Sequence, residues 1–519
     1  MLPPRFVLIL LIFALTARCP AQQPAGSPQG LGTIHFPNSC SPAAQPALLK
    51  GIAELHSFQY AAAEKAFSEV PQADPQCAMA YWGLAMSNYQ QLWDGASENG
   101  LIRGREALGK IKQEWLVSKR EHEYIDAIGI IFASNRTLKG ESISAYSRAL
   151  AEIRKHYPDD GEAQAFYALS LLALPDKGDD MDTRKEVIAI LNRLSAAQPE
   201  HPGAVHYLIH AADTPELAPE GLEAARRYAK IAPDSSHALH MPSHIFVRLG
   251  LWQESIDSNQ AAAAAAAEAT QQQMGEAHYQ FHAMDFLNYS YLQMGEEAKA
   301  RRVIEDLNKV PGRTADVTTN MRVNLTTRTL LELHRWNEAL ALVPEGDAAD
   351  QQMIYMSRTI AAARTDDAKA AEWNLKRLKD ALKQGRHGDK GLEDYRRQVA
   401  EAWVDFAKGK LDKAVKKIRA AADTQDRDDP GAFGVSAREM LADMLLESHQ
   451  PVPALAAYES VLKLAPNRFN VLYGAAAAAA LAGDAGKAKS YYSKLRDNCP
   501  PQADREELQK VKVAAAGGN

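Results

Sequence analysis

Three short histidine phrases hold most of the residues in this sequence that could do chemistry. His206-x-x-x-His210-x-x-Asp213 lies in HPGAVHYLIHAAD, His237-x-x-His240-x-x-x-His244 in HALHMPSHIF, and His278-x-x-x-His282-x-x-Asp285 in HYQFHAMDF. Spacings of three, four and seven put the members of each set on one face of a helix. Seven of the 15 histidines make up these three spaced sets, so they form a concentration and not a scatter. Helical imidazole pairs four residues apart are good ligands for divalent metals. Nitrogen donors favour zinc and copper, and carboxylates serve beside them as ligands or as partners of ligands. The metal candidates are therefore His206, His210, Asp213, His237, His240, His244, His278, His282 and Asp285. A polar groove for a ligand, and a hydrogen-bonded seam between helices, are the other readings of the same residues. The peptidase pattern H-E-x-x-H is absent, as are G-x-S-x-G, a phosphate-cradling Gly-rich loop and a Cys–His nucleophile pair. No catalytic residue is assigned, and an enzyme here would have to be metal-dependent.

Helices must position these residues, and the composition supplies them. Alanine is abundant and β-branched residues are sparse, which favours helix over strand. The helices repeat. Ala454, Tyr458, Val461 and Pro466 recur as Ala488, Tyr492, Leu495 and Pro500, each displaced by 34 residues. LHSFQYAAAEKAFSEVPQADP gives the same phrase through Tyr60, Ala63, Phe67, Val70 and Pro75, and GLWQESIDSNQAA and RWNEALALV give it again. A small residue lets two helices approach, an aromatic fills the groove beside it, and proline stops the second helix. Period and signature resemble the tetratricopeptide (TPR) repeat, which implies an all-α, right-handed solenoid of roughly 8–10 helix hairpins.

In TPR proteins first helices line a concave groove through positions 2, 5, 9, 12 and 13. In that frame His237, His240 and His244 fall at 2, 5 and 9, His206, His210 and Asp213 at 5, 9 and 12, and His282 and Asp285 at 2 and 5. His56, Trp82 and Tyr89 also fall at groove positions, with Trp93 just beyond; these four are the ligand-binding candidates, and packing in the core is the other reading of the aromatics. Pro242 interrupts the His237–His244 helix, removing a backbone donor and bending the axis between His240 and His244.

The chain divides into a signal peptide at 1–21, a flexible linker at 22–47, TPR-like hairpins at 48–200, histidine-rich hairpins at 201–312, further hairpins at 313–512 and a disordered tail at 513–519. Arg5 followed by ten apolar residues from Phe6 to Leu15 is too short for a membrane span and fits a signal sequence. Export to the periplasm or beyond the cell favours a disulfide, expected between Cys40 and Cys77. Cys499 is left over. The formal net charge of −6, without a long basic block, gives no nucleic-acid footprint.

LHSFQYAAAEKAF, DPQCAMAYWGLAMS, HPGAVHYLIHAAD, HALHMPSHIF and APNRFNVLYGAA together resemble a group of exported bacterial TPR-repeat proteins. The resemblance implies an exported scaffold that binds a peptide, protein or small ligand in its groove, with a histidine-rich centre. The alternative is a zinc or copper protein built on the clustered histidines.

Overall fold

The computed structural model describes residues 30–511 apart from 93–94, 117, 134–136, 176, 272–276, 386–388, 429–430, 432 and 510. The expected signal peptide and C-terminal tail lie outside the described residues, and so does Trp93. Among the described residues there are 25 α-helices and no strand. Among them, no helix is long and apolar enough to cross a membrane.

Successive helices pack as antiparallel hairpins that stack into a solenoid of the TPR type. The repeat chemistry appears in its contacts. Phe67, on the second helix of the first hairpin (Tyr60–Ala73), is fully buried. A Cβ added at Gly51 or Gly83 would stand 2.6 Å or 2.4 Å from its ring. One aromatic thus fills the space that two glycines leave on neighbouring first helices. Tyr458 does the same against Gly474 near the other end, at 2.4 Å. Burial of such rings against close-packed small residues is what holds each hairpin to the next.

The winding is tight enough to bring distant hairpins together. The Gln45–His56 helix rests on the Pro202–Ala212 helix, and Tyr279 donates its hydroxyl hydrogen to the Phe58 carbonyl at 2.7 Å. Farther along, the Trp252 indole donates to the Asn467 carbonyl at 2.9 Å. A buried cluster ties the Phe469–Leu481 helix to earlier turns. There the Arg468 guanidinium meets Glu332 at 2.8 Å and Glu439 at 2.7 Å.

Residues 30–44 depart from the flexible linker that the sequence suggests. Leu31, Ile34 and Phe36 are buried, and Arg120 lies over the Phe36 ring. Cys40 is bonded to Cys77, with Cα atoms 4.8 Å apart. The segment is rich in turn formers, but its few apolar side chains find the side of the first hairpins, and the covalent link holds them there. Cys499 is a free thiol, and burial raises its pKa to about 12.

Candidate metal centre

Each histidine phrase is held by a helix whose start is locally determined. Pro202 occupies the first turn of the Pro202–Ala212 helix, and the His201 ring accepts from the Ala204 N–H at 3.1 Å as its N-cap. His206 and His210 follow on one face. Ser235 caps the Ser236–His240 helix through the Ala238 N–H. Pro242 then opens a separate helix, Pro242–Arg248, with Met241 as the joint. The hydrogen-bond ladder is therefore interrupted between His240 and His244, while Met241 keeps helical dihedrals of φ −52° and ψ −35°. His282 comes from the Ala277–Gln293 helix.

These helices bring six of the seven expected histidines into two triads. In one, the ligand-capable nitrogens of His206, His210 and His237 lie within 4.8 Å of one another, and in the other those of His240, His244 and His282 do. The pair His240/His244 sits 34 residues after His206/His210, one repeat period along the chain. His206, His237 and His240 are 0%, 2% and 1% exposed, while His210, His244 and His282 keep an edge toward solvent. The histidines thus fill the inside of the winding and do not line an open groove along its length.

The hydrogen bonds fix which nitrogens carry protons. In the second triad, His240 Nδ1 lies 2.6 Å from Asn259 Oδ1, and the Asn259 amide nitrogen is committed to the Ser255 carbonyl at 2.8 Å. That carbonyl turns the Asn259 oxygen toward His240, so Nδ1 is the donor. His244 Nδ1 lies 2.9 Å from Asp213 Oδ2, an acceptor only, and is also a donor. When both rings are neutral, as metal ligands are, each has one proton and both Nε2 atoms present lone pairs. They are 3.0 Å apart. Two facing lone pairs repel, and a shared cation removes the conflict. Ligands about 2.0–2.1 Å from a tetrahedral zinc stand roughly 3.3 Å from each other, close to this separation.

The first triad follows the same logic. His206 Nδ1 donates to the His56 carbonyl at 2.6 Å, which leaves its Nε2 as an acceptor. His210 Nε2 and His237 Nε2 both lie 3.1 Å from that atom. One lone pair cannot serve both.

Burial sets the electrostatics. It holds His206, His237 and His240 well below the usual histidine range, with neighbouring histidines pushing the same way. Burial, then His244, lowers His210 to about 3, against Asp213; the same two causes lower His282 to about 4, against Asp285. Neutral imidazole is the form that binds metal. Burial alone would raise Asp213, but His244 and Arg248 outweigh it and keep the carboxylate ionised. Aromatic rings wall the triads. Phe58 packs on His206 at 4.4 Å between ring centroids, and Phe286 lies 4.8 Å from both His240 and His244.

The remaining expected residues fall elsewhere. Asp213 holds the back of His244 and the Arg248 guanidinium, at 2.9 Å each, and is a partner of a candidate ligand. Asp285 is paired with Arg328 at 2.7 Å. His278 is exposed, its ring against Tyr279, and joins neither triad. Trp82 and Tyr89 are 1% and 2% exposed; Trp82 stacks on Phe36 and Tyr89 meets Tyr146 edge-on, so both are core. A groove position in the repeat frame becomes interior wherever the winding closes over it.

His56 belongs to a third cluster that the spacing does not reveal. Its Nε2 lies 2.6 Å from Glu162, and His201 Nε2 lies 3.3 Å from the other oxygen of the same carboxylate. The Tyr207 hydroxyl donates to His56 Nδ1 at 2.8 Å. The His201 Nδ1 is occupied by the Ala204 N–H, so each Nε2–H faces the carboxylate. Here the His56 proton has its acceptor, the His201 approach lies outside hydrogen-bond geometry, and the cluster ties the first hairpin to the Gly161–Leu172 and Pro202–Ala212 helices. Phe58, Asn259 and Phe286 complete the surroundings, and Asn259 stands at the repeat position that Phe67 and Tyr458 fill in other hairpins.

No protein-family model matches the chain, and no curated protein matches it. Solved structures with related helical arrays include the Cut9–Hcn1 hetero-tetramer of the APC/C, at 11% identity and a TM-score of 0.35, covering 84% of this chain and 76% of that one. The human IFIT1 dimer with PPP-AAAA matches at 13% and 0.34, covering 88% and 91%. The P58(IPK) TPR domain matches at 14% and 0.21, covering 69% and 100%. At these scores the likenesses carry no argument about activity.

Proposed function

We propose that this chain is a transition-metal-binding helical-repeat protein whose two triads, His206/His210/His237 and His240/His244/His282, each hold one zinc or copper ion. The supporting observation is the pair of Nε2 atoms of His240 and His244, which face each other at 3.0 Å while both Nδ1 atoms lie against oxygen acceptors. Around them stands the usual surrounding of a metal site: a carboxylate, an amide oxygen and a backbone carbonyl behind the candidate ligands, and an aromatic wall. Three protein ligands with a solvent-facing edge leave a position for water or a small ligand. The same reading places the chain in the periplasm or outside the cell, where a Cys40–Cys77 disulfide persists. A peptide or protein partner would dock elsewhere, since the open cleft bordered by Arg154, Lys155, Gln164 and Arg193 includes no triad residue.

The test is elemental analysis of untagged protein, joined to thermal unfolding with and without metal. Stoichiometric zinc or copper is expected, with loss of one ion in His244→Ala or His282→Ala and a metal-dependent rise in Tm. Protein that takes up neither ion, and whose Tm ignores both in excess, would refute the reading.

A further inference from the structure

The triads also bear on which ion they take, an inference that rests on reading them as metal sites. All six donors are imidazole nitrogens, which bind a metal in the neutral form. The carboxylates beside them are already matched: Asp213 by Arg248 at 2.9 Å, and Asp285 by Arg328 at 2.7 Å. These side chains bring no net negative charge to the pair of sites.

The sites are also near neighbours. His237 of one and His240 of the other stand three residues apart on one short helix, with ring centroids 6.3 Å apart. The two i, i+4 pairs occupy equivalent places on adjacent first helices, and packed helices lie about 8–10 Å apart. Two divalent ions at that spacing would put four positive charges into a largely buried region. Their mutual repulsion is four times that of two monovalent ions, because it scales with the product of the charges. Charge that is buried without compensation is strongly disfavoured.

We propose that the paired triads are built for two copper ions in the cuprous state and discriminate against double occupancy by a divalent ion such as zinc. Cuprous copper brings half the charge. It accepts three nitrogen ligands without an anionic one. Zinc in a three-histidine site completes its shell with water and keeps both charges until that water loses a proton.

The experiment is anaerobic titration of the untagged, metal-free full chain, with cuprous ion against a bicinchoninate competitor and, separately, with zinc against a chromophoric chelator. Two cuprous ions per chain are expected, with affinities within about 30-fold of each other, whereas a second zinc should bind at least about 500-fold more weakly than the first. His210→Ala and His282→Ala should each remove one cuprous ion and retain the helical circular-dichroism spectrum. Two zinc ions bound within 30-fold of each other, or uptake of one cuprous ion only, would overturn the proposal while leaving a metal site in place. Uptake of neither ion would remove the metal reading itself. The affinity ratios come from the unaltered protein, so the outcome stands even where a variant does not fold.

Discussion

Replacing Arg468 with methionine tests the closure of the solenoid most directly. Its guanidinium is 1% exposed and serves two carboxylates, Glu332 and Glu439, that are 0% and 1% exposed. It also donates to the Tyr289 hydroxyl. Burial raises the Glu439 carboxyl; Arg468 opposes this and Glu332 adds to it. One cation thus supports two buried acids. Methionine fills much of the same space and leaves both acids without a counter-charge, a change that costs about 3–5 kcal/mol. Unfolding entropy of about 2.1 cal/mol/K per residue, taken over a chain of this length, turns that cost into a Tm drop of about 3–5 °C if unfolding is cooperative. The sign of the pH dependence follows. In the variant the folded-state pKa of Glu439, already raised to about 8, rises further above its unfolded value. The stability this carboxyl contributes is complete below the unfolded value and is lost as pH rises through the raised one. The gap between variant and wild type should therefore widen as pH rises past about 8, between pH 7 and pH 9, in chemical denaturation. Glu439→Gln, which replaces an acid already biased toward its neutral form, should cost about 1 kcal/mol or less near pH 6. An Arg468→Met penalty below about 1 kcal/mol, or one that does not change with pH, would refute the account of this cluster.

Three further outcomes are expected. Asn259→Ala removes the acceptor behind His240 and should weaken metal binding at that triad by about 10–100-fold, leaving the His206 triad unchanged in a chelator competition. Cys40→Ser with Cys77→Ser opens a link spanning 37 residues; loop-closure entropy puts the loss at about 4 kcal/mol, read from urea unfolding. His334 is held at about 3 by burial, then Arg364 and Arg505. It takes up a proton on unfolding, so its contribution is present above about 6.5 and lost as pH falls toward 3. His334→Asn, which tolerates the positive φ of 53° at that position, should make stability fall less steeply between pH 6.5 and 4.5.

Much of the architecture was legible because local rules governed it. The 34-residue step, the Phe67 and Tyr458 positions and the interruption at Pro242 all follow from short-range steric logic. The candidate ligands were legible as a set, since helical spacing placed them on shared faces. Their partition was not. Which histidine meets which depends on how neighbouring helices stack, and that brings His237 to the earlier pair and His282 to the later one while His278 turns outward. Whether Trp82 and Tyr89 line a groove or pack in the core was left open for a related reason: a repeat frame assigns a face to each position, but the tightness of the winding decides whether that face meets water. Glu162 and Phe58 left no signal, because single residues reach the site from distant parts of the chain, and Asn259 was legible only as a repeat position and not as a partner of His240.

The His56 carbonyl behind His206, and the Phe58 ring against it, come from the first hairpin, 150 residues upstream. Plain repeat arrays are modular: units can be removed from an end, and each emerging pair can settle on the one before it. This chain gives up that freedom at its N-terminal end. The first hairpin, once synthesised, waits for four later ones before it meets its counterpart, and a shortened chain lacking it would keep every candidate ligand yet lose the acceptor that orients His206. Phe58 itself holds a φ of 55° in a turn where Gly250, Gly295 and Gly409 occupy the corresponding bend. The end of the array is thus a keystone as much as a cap, and deleting it should blunt the centre without touching it.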